Sequence, residues 1–307
     1  MSDERPPTQV ALEPTRFTIT PAMMERYPVL FGDRSSLHTN AGFAKASPYG
    51  AIIAWGVQPL FFFSTLKWRK VLPRRMAFEK FTANFTQPVL PGDPLELSAL
   101  VYPSLGGPGH MELEYEIRNR DSHAVVTNGS GILGVAPPGL DPDLLAFDED
   151  EPLPEVRMQV KPLVEQAWEF DQIEKGETSA FDFEFTRDGL RSLHAMTMLG
   201  AESHAPAWHE WLETLDPRPL LIIPMFTTVM GMLMPGRRAT CANLEVEFKN
   251  PPPIGDRCRM KGAVAFKSAS TQTLLEQMTI SDLDLKTVFA KGKVHAQVHS
   301  PPASPAA

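Results

Sequence analysis

Cysteine is scarce in this chain of 307 residues, which contains only Cys241 and Cys258. Two cysteines cannot build the dense disulfide framework of a small secreted domain, so we expect both to be reduced thiols. The first residues are polar and acidic and include no apolar segment of the kind that a signal peptide needs. The sequence therefore predicts a cytoplasmic protein.

Long hydrophobic runs and basic clusters are also missing. A membrane-spanning helix needs roughly 18 consecutive apolar residues, and polar residues and proline interrupt the most apolar stretch, residues 51–66. The formal net charge is −8, and the 29 lysines and arginines form no basic run. These features argue against a membrane protein and against nucleic-acid binding.

Proline, by contrast, is abundant, and its 30 residues indicate the domain boundaries. The acidic, proline-rich residues 137–162 predict a linker between two halves, because such a composition buries too little apolar surface to fold. Residues 1–14 predict a disordered N-terminus, and residues 300–307 predict a disordered tail. Residues 15–136 and 163–299 are each long enough to form one domain.

The two predicted domains share a motif that recurs at a constant spacing. The repeated positions are Phe85, Pro88, Gly92 and Asp93 in the first half and Phe248, Pro251, Gly255 and Asp256 in the second. We call the shared spacing, which is the step from Phe85 to Phe248, the repeat offset. Apolar and polar residues alternate before and after each copy, which indicates antiparallel strands. The repeat therefore predicts two similar halves.

Each half also contains one strongly apolar segment ahead of its strands, residues 51–66 and residues 225–234. A helix that is apolar on all sides must be enclosed, and a sheet wrapped around it is one way to do so. The sequence thus predicts an α+β protein with a tandem (double) hot-dog fold, each half an antiparallel sheet around one core helix. We expect the halves to join edge to edge in one continuous sheet, since this hides the strand edges.

Two residues of the first half suggest chemistry. Asp33 and His38 are five residues apart in a predicted turn, shortly before the apolar segment. A carboxylate and an imidazole can act as a general acid/base pair, and the N–H groups at the start of a helix can stabilise an oxyanion. This combination suits the addition or removal of water at an acyl thioester.

The order of Gly32-Asp33, His38, Ile53-Ala54-Trp55-Gly56 and Pro91-Gly92-Asp93 resembles the MaoC-like proteins, that is, the R-specific (type-2) enoyl-CoA hydratases and related dehydratases. The resemblance covers residues 15–136. It implies that Asp33 and His38 are catalytic and activate water, and that the Gly56 N–H binds the thioester carbonyl. It also implies that Ser64, two helical turns further on, contacts the substrate, and that the reaction needs no metal or redox cofactor.

The chain departs from the family pattern at three places. Ser35-Ser36 replaces the usual Asn-Pro, Trp55 replaces a histidine, and Asn40 replaces an acidic residue. We therefore expect Trp55 and Asn40 to be substrate-binding positions and the substrate to differ from an ordinary short enoyl-CoA. An indole N–H cannot exchange protons near neutral pH, so Trp55 is expected to set substrate scope, the alternative being a structural tryptophan between the halves.

The histidines of the second half, His194, His204 and His209, match no metal-binding spacing. Counting back from the repeated elements places His204 near the equivalent of His38, but Leu199 stands where the aspartate should be. We expect a second half that kept the fold and lost the acid/base pair. The family resemblance implies that such a half widens the acyl tunnel.

The sequence thus favours a hydro-lyase that interconverts a 3-hydroxyacyl thioester and a trans-2-enoyl thioester, in fatty acid or polyketide metabolism. The substrate would be carried by CoA or by an acyl carrier protein, and a homodimer is an option for the quaternary state. Two alternatives stay open: a hot-dog acyl thioesterase, and a non-catalytic protein that binds acyl thioesters.

Overall fold

A single antiparallel sheet organises the computed structural model, which describes residues 9–104, 107, 109–137, 160–202 and 208–299. Ten of its eleven strands follow the order β1-β4-β5-β6-β3-β8-β11-β10-β9-β7, and β2 also pairs with β4. The strands are β1 Val10–Ala11, β2 Thr15–Thr18, β3 Met76–Phe85, β4 Pro94–Pro103, β5 Met111–Asn119, β6 Val125–Val135, β7 Thr178–Glu184, β8 Ala239–Phe248, β9 Arg257–Ser268, β10 Thr273–Asp282 and β11 Val288–Val298.

The two halves of the sheet repeat each other closely. Both bounds of β3 and β8 are related by the repeat offset, as are both bounds of β6 and β11. β3 and β8 pair with each other at the centre of the sheet, where Thr82 lies opposite Glu245, its own counterpart in the repeat. An approximate twofold axis therefore passes through this pair. The predictions of two similar halves and of one continuous sheet are confirmed.

Six α-helices are described: α1 Pro21–Phe31, α2 Ser36–Thr39, α3 Ala41–Ala46, α4 Arg187–Met198, α5 Trp208–Thr214 and α6 Arg218–Thr228. Shorter 3-10 turns cover Trp68–Lys70 and Phe170–Gln172. None of the helices in the described residues is both long and apolar enough to cross a membrane.

The two core helices differ from their predicted bounds. In the first half the helix is a 3-10 helix, Gln58–Thr65, and the residues before it are not helical. The Ala54 N–H instead donates to the Val89 carbonyl at 2.8 Å, and Pro59 fits only a first helical turn because it lacks an N–H. In the second half α6 begins seven residues before the predicted start, and a π-helix, Val229–Leu233, continues it.

Both core helices are enclosed by the sheet, as expected. All eight residues of the 3-10 helix and all eleven residues of α6 are buried. Phe62 stacks on Phe17 with ring centroids 3.8 Å apart, and Phe63 meets Tyr115 edge to face. The aromatic run of residues 61–63 is therefore core. With each half of the sheet wrapped around a helix, this is the predicted α+β double hot-dog architecture.

Two predicted boundaries need correction. Residues 9–14 are ordered, since Val10–Ala11 pairs with β4 and Leu12 is buried. The open edge of β4 and an apolar side chain give this segment a place to bind. The predicted linker ends earlier than residue 162, because Val160 is fully buried and bridges to Phe183. Residues 1–8, 138–159 and 300–307, which include most of the predicted linker and the tail, lie outside the described residues.

Candidate active site

A cavity of about 150 Å³ lies where the turn after α1 meets the core helix of the second half. Both halves of the chain contribute to it. Its lining includes Asp33, Ser35, His38, Trp55, Gly56 and Thr127 from the first half, and Thr227, Met230, Gly231, Thr240 and Cys241 from the second. The structure therefore brings together four of the six predicted site residues: Asp33, His38, Trp55 and Gly56.

The end of α1 positions Asp33. Gly32 ends the helix with φ 71°, and its N–H donates to the Pro28 carbonyl at 3.0 Å. Glycine adopts this left-handed conformation without steric cost. A Cβ at this position would also lie 2.8 Å from the side chain of Val160. The tight turn that directs Asp33 into the cavity thus depends on a glycine.

Asp33 is a buried carboxylate held by neutral donors. Its side chain is nearly inaccessible, and its Oδ1 accepts hydrogen bonds from the Ser35 N–H at 3.0 Å and from the Ser35 hydroxyl at 2.7 Å. Burial raises the pKa of Asp33 to about 6, although the bonds from Ser35 oppose the shift. The carboxyl is therefore mostly ionised at neutral pH and accepts a proton readily.

His38 is fixed in one tautomer. Its Nδ1 lies 2.8 Å from the Ile53 carbonyl oxygen. A carbonyl can only accept a hydrogen bond, so Nδ1 carries the proton and Nε2 keeps its lone pair. Burial lowers the pKa of His38 to about 4, opposed by the bond to Ile53. At neutral pH the ring is consequently a neutral imidazole with one free basic nitrogen.

Trp55 lies between the rings of Tyr27 and His38. Its ring centroid is 4.3 Å from that of Tyr27 and 4.6 Å from that of His38. The buried indole nitrogen makes no well-formed hydrogen bond among the described residues, yet it helps to lower the pKa of Asp33. Packing on both faces holds the indole in place, and the indole in turn limits how the imidazole can rotate.

Gly56 supplies an unpaired backbone donor. It lies just before the 3-10 helix and lines the cavity, and its N–H has no acceptor in the part of the chain that the structure describes. A Cβ on Gly56 would lie 3.0 Å from Cδ1 of Phe85. A free N–H at the start of a core helix is suited to bind a carbonyl oxygen that gains negative charge.

Two predicted substrate-binding residues do not reach the cavity. The Ser64 hydroxyl donates back to the Phe61 carbonyl at 2.7 Å within the 3-10 helix. The Asn40 side chain instead caps α3 by accepting a hydrogen bond from the Phe43 N–H at 3.0 Å. Neither residue belongs to the lining. Both polar groups are used by local backbone, as serine and asparagine often are at these positions.

The second half contributes side chains to the cavity that were not predicted from the sequence. Thr227 lines the cavity, and it is the counterpart of Ser64 at the repeat offset. Gly231, in the π-helix, approaches Asp33 so closely that a Cβ there would lie 3.3 Å from Oδ2. The repeat offset, applied to the predicted serine, could have identified Thr227, because the candidate site of the first half borders the core helix of the second half.

The serines that replace Asn-Pro have defined partners. Ser35 binds Asp33, whereas the Ser36 N–H and hydroxyl donate to the Glu165 carboxylate at 2.6 Å and 2.5 Å. Arg237 also donates to Glu165, at 2.8 Å. Because Glu165 belongs to the second half, this bond ties the turn that carries Asp33 to the other half of the protein.

The second half lacks the equivalent groups. Thr20 and Thr186 are the N-cap residues of the corresponding helices α1 and α4. Asp33 follows Thr20 at the same sequence distance as Leu199 follows Thr186, so Leu199 is the counterpart of Asp33. Pro219 is the counterpart of Gly56 at the repeat offset, and proline has no N–H to donate. His194 is buried in α4, whereas His204 and the side chain of His209 lie outside the described residues. Within the described ranges, no His, Cys, Asp or Glu cluster could hold a metal ion.

The chain is similar to known proteins in fold and, over part of its length, in sequence. Residues 3–104 match the family model of the MaoC like domain. A solved MaoC-like dehydratase has a TM-score of 0.68 at 13% identity, covering 97% of this chain and 99% of that chain. A putative MaoC domain protein dehydratase from Chloroflexus aurantiacus J-10-fl has a TM-score of 0.65 at 14% identity, covering 96% and 95% of the two chains.

A conserved hypothetical protein from Mycobacterium tuberculosis, described as having a double hot-dog fold, has a TM-score of 0.61 at 13% identity and covers 97% of both chains. No curated protein matches the sequence significantly. The fold therefore defines a double hot-dog protein. Within residues 3–104 the chain is similar to the MaoC like domain, and over nearly its whole length it shares the fold of the solved MaoC-like protein.

Proposed function

We propose that this protein is a hydro-lyase that interconverts a 3-hydroxyacyl thioester and a trans-2-enoyl thioester. One observation carries the proposal. Asp33, His38 and the free N–H of Gly56 line the same cavity, and the fixed tautomer of His38 leaves Nε2 as a proton acceptor. These groups are an acid/base pair for water and a donor for the thioester oxygen.

In the hydration direction, a water molecule would be held by the Asp33 carboxylate and Nε2 of His38. Its oxygen adds to C3 of the enoyl group, and the electron pair of the C2–C3 double bond moves to the thioester oxygen. The Gly56 N–H stabilises this enolate. One proton passes from the water to the Asp33–His38 pair and from that pair to C2, so that H and OH are both added.

The dehydration direction uses the same groups in reverse. The pair removes the weakly acidic proton at C2, the Gly56 N–H again stabilises the enolate, and the hydroxyl at C3 leaves as water after it receives that proton. A preorganised donor of this kind contributes about 3–4 kcal/mol in comparable oxyanion sites. The acyl group is bound as a thioester, either of CoA or of an acyl carrier protein.

A single assay tests the proposal. Purified protein is incubated with crotonyl-CoA and with longer enoyl-CoA thioesters, and both the loss of conjugated-thioester absorbance and the release of free thiol are followed. We expect hydration without thiol release. Thiol release would instead point to a thioesterase, and the absence of both signals would point to a binding protein or to an enzyme specific for acyl carrier protein thioesters.

A further inference from the structure

A second cavity, of about 410 Å³, lies at the position in the second half that corresponds to the candidate active site. The correspondence follows from the repeat. Asp216, Arg218, Pro219 and residues 248–252 line the second cavity, and their counterparts at the repeat offset, namely Ile53, Trp55, Gly56 and residues 85–89, line the first. The fold therefore builds the same recess twice.

A buried arginine forms part of the second cavity where the first has Trp55. Arg218 and Asp216 are both almost fully buried and form a bidentate ion pair, with Nε 2.9 Å from Oδ1 and Nη2 2.5 Å from Oδ2. The Nη1 group of Arg218 has no partner among the described residues, although Arg218 lines the cavity. Such a guanidinium presents planar N–H donors that match a carboxylate.

The charges around the cavity favour a single negative charge on the ligand. Three acidic side chains, Glu79, Asp216 and Glu247, are matched in the lining by three basic ones, Lys80, Arg218 and Lys249. The lining side chains are therefore neutral in sum, so the guanidinium of Arg218 can bind one negative charge, whereas a dianion would leave a second charge without a counterion.

Apolar side chains form the remaining walls. Phe78, Ile222 and Phe248 line the cavity together with prolines, and Val135 stands at its edge with half of its surface exposed. The volume falls within the range of small-molecule sites. Pro219 removes the backbone donor that Gly56 provides in the first cavity, so this recess has a place for an anion and a chain but lacks the equipment for hydration.

We propose that the second cavity binds a small monocarboxylate with an apolar chain, whose carboxylate pairs with Nη1 of Arg218 and whose chain packs against Phe78 and Phe248. This site is separate from the candidate active site, and it does not depend on the proposed hydro-lyase activity.

The proposal is tested by calorimetric titration of the full chain with hexanoate, hexan-1-ol and hexyl phosphate. We expect saturable binding of hexanoate and at least about tenfold weaker binding of the other two, since the alcohol lacks the charge and the phosphate carries excess charge. Val135→Trp should weaken hexanoate binding at least about tenfold by blocking the edge of the cavity. Leu285→Trp, at an exposed position in the β10–β11 turn, is the matched control and should leave the affinity unchanged.

Two further variants locate the ligand. Arg218→Lys keeps a charge beside Asp216 but loses the planar donor, so hexanoate should bind at least about tenfold more weakly while the melting temperature shows a folded protein. Asp33→Asn should leave hexanoate binding unchanged. Absence of saturable hexanoate binding, equal binding of hexan-1-ol or hexyl phosphate, or insensitivity to Val135→Trp would overturn the proposal.

Discussion

The two cavities of this protein share one scaffold and differ in a few residues. In the first, a carboxylate, an imidazole and a free backbone N–H line the recess. At the corresponding places the second half has Leu199 and Pro219. The hot-dog scaffold thus supplies a recess in each half, whereas the proposed acid/base chemistry depends on a carboxylate in the turn and a glycine before the core helix.

The buried aspartates of the two cavities show the same contrast in their electrostatics. Asp216 is neutralised by the bidentate bonds of Arg218. Asp33 accepts hydrogen bonds from the neutral N–H and hydroxyl of Ser35, and burial raises its pKa to about 6. A buried carboxylate that is paired in this way has its charge compensated by its partner. An unpaired one is costly to bury, and such a group is a functional candidate.

The largest expected effect comes from removing the acid/base pair in the first half alone. Asp33→Asn or His38→Ala should lower kcat on a confirmed thioester substrate by ~10²–10⁴, because general acid/base catalysis is lost. The matched control is Leu199→Asn, at the equivalent and exposed position of the second half, which should change kcat by less than about twofold. Activity of Asp33→Asn within about tenfold of the wild type would exclude the proposed pair.

Replacing Gly56, which lies just before the core helix of the first half, should have the next largest effect on kcat. Gly56→Pro introduces the residue of the second half and removes the proposed oxyanion donor, so kcat should fall by ~10²–10³. Gly56→Ala is the control, because it keeps the N–H while adding a Cβ 3.0 Å from Phe85. If the two variants lose kcat equally, crowding against Phe85 explains the effect and the N–H does not bind the thioester.

The raised pKa of Asp33 predicts how activity depends on pH. The carboxylate form is needed as a base, so kcat/KM should fall about tenfold per pH unit below the pKa of about 6. His38 should not add to this limb, because its pKa is about 4 and the ring is already neutral there. A pH profile from about 4.5 to about 8 is the measurement, and an acidic limb centred well below about 5 would contradict the assignment.

The raised pKa of Asp33 also makes the free energy of unfolding depend on pH. The pKa of Asp33 is about 6 in the folded protein and 3.8 for an ordinary aspartate, so the folded state binds the proton more tightly than the unfolded state does. Stability contributed by this group is therefore present at low pH and lost as the pH rises through about 6. Asp33→Asn should be more stable than the wild type at neutral pH, by up to about 3 kcal/mol, and the difference should vanish near pH ~4. Equal unfolding free energies of the two proteins at neutral pH would contradict this linkage.

The prediction for Trp55 concerns a residue that only the first cavity has. Trp55 packs between Tyr27 and His38, so Trp55→His should lower kcat/KM about tenfold for every acyl length and also lower the melting temperature. Measurements across a panel of acyl chain lengths decide between this positioning role and the substrate-scope role suggested by the sequence. A change confined to some chain lengths, with the melting temperature unchanged, would favour substrate scope.

The sequence predicted the fold well because the repeat and the alternation of apolar residues record which side chains are buried. The offset seen at Phe85 and Phe248 also relates the bounds of β3 and β8. Ser64 and Asn40 were predicted to bind substrate, but neither lines the cavity. Their polar groups form local hydrogen bonds to the backbone of Phe61 and Phe43 instead. Contacts between the halves, such as Gly231 with Asp33, depend on the twofold arrangement and leave no local pattern in the sequence.

Adding a side chain at Gly231, which lies against Asp33, should have the smallest effect on activity. A Cβ at Gly231 would lie 3.3 Å from Oδ2 of Asp33 and 3.6 Å from Oγ of Ser35. The extra methyl group excludes water from the carboxylate, so Gly231→Ala should raise the pKa of Asp33 further and move the acidic limb of kcat/KM to higher pH. At neutral pH we expect a loss of only a few-fold in kcat/KM, since the catalytic groups all remain.

Gly42→Ala is the control for this last variant, because a Cβ there would meet only the Asn40 side chain, at 3.4 Å. It should leave the acidic limb in place. A limb that stays in place in Gly231→Ala as well would show that the core helix of the second half does not control the proton affinity of Asp33. The second half would then contribute to the first cavity only as a wall, and the contrast between the two cavities would rest on the residues of the first half alone.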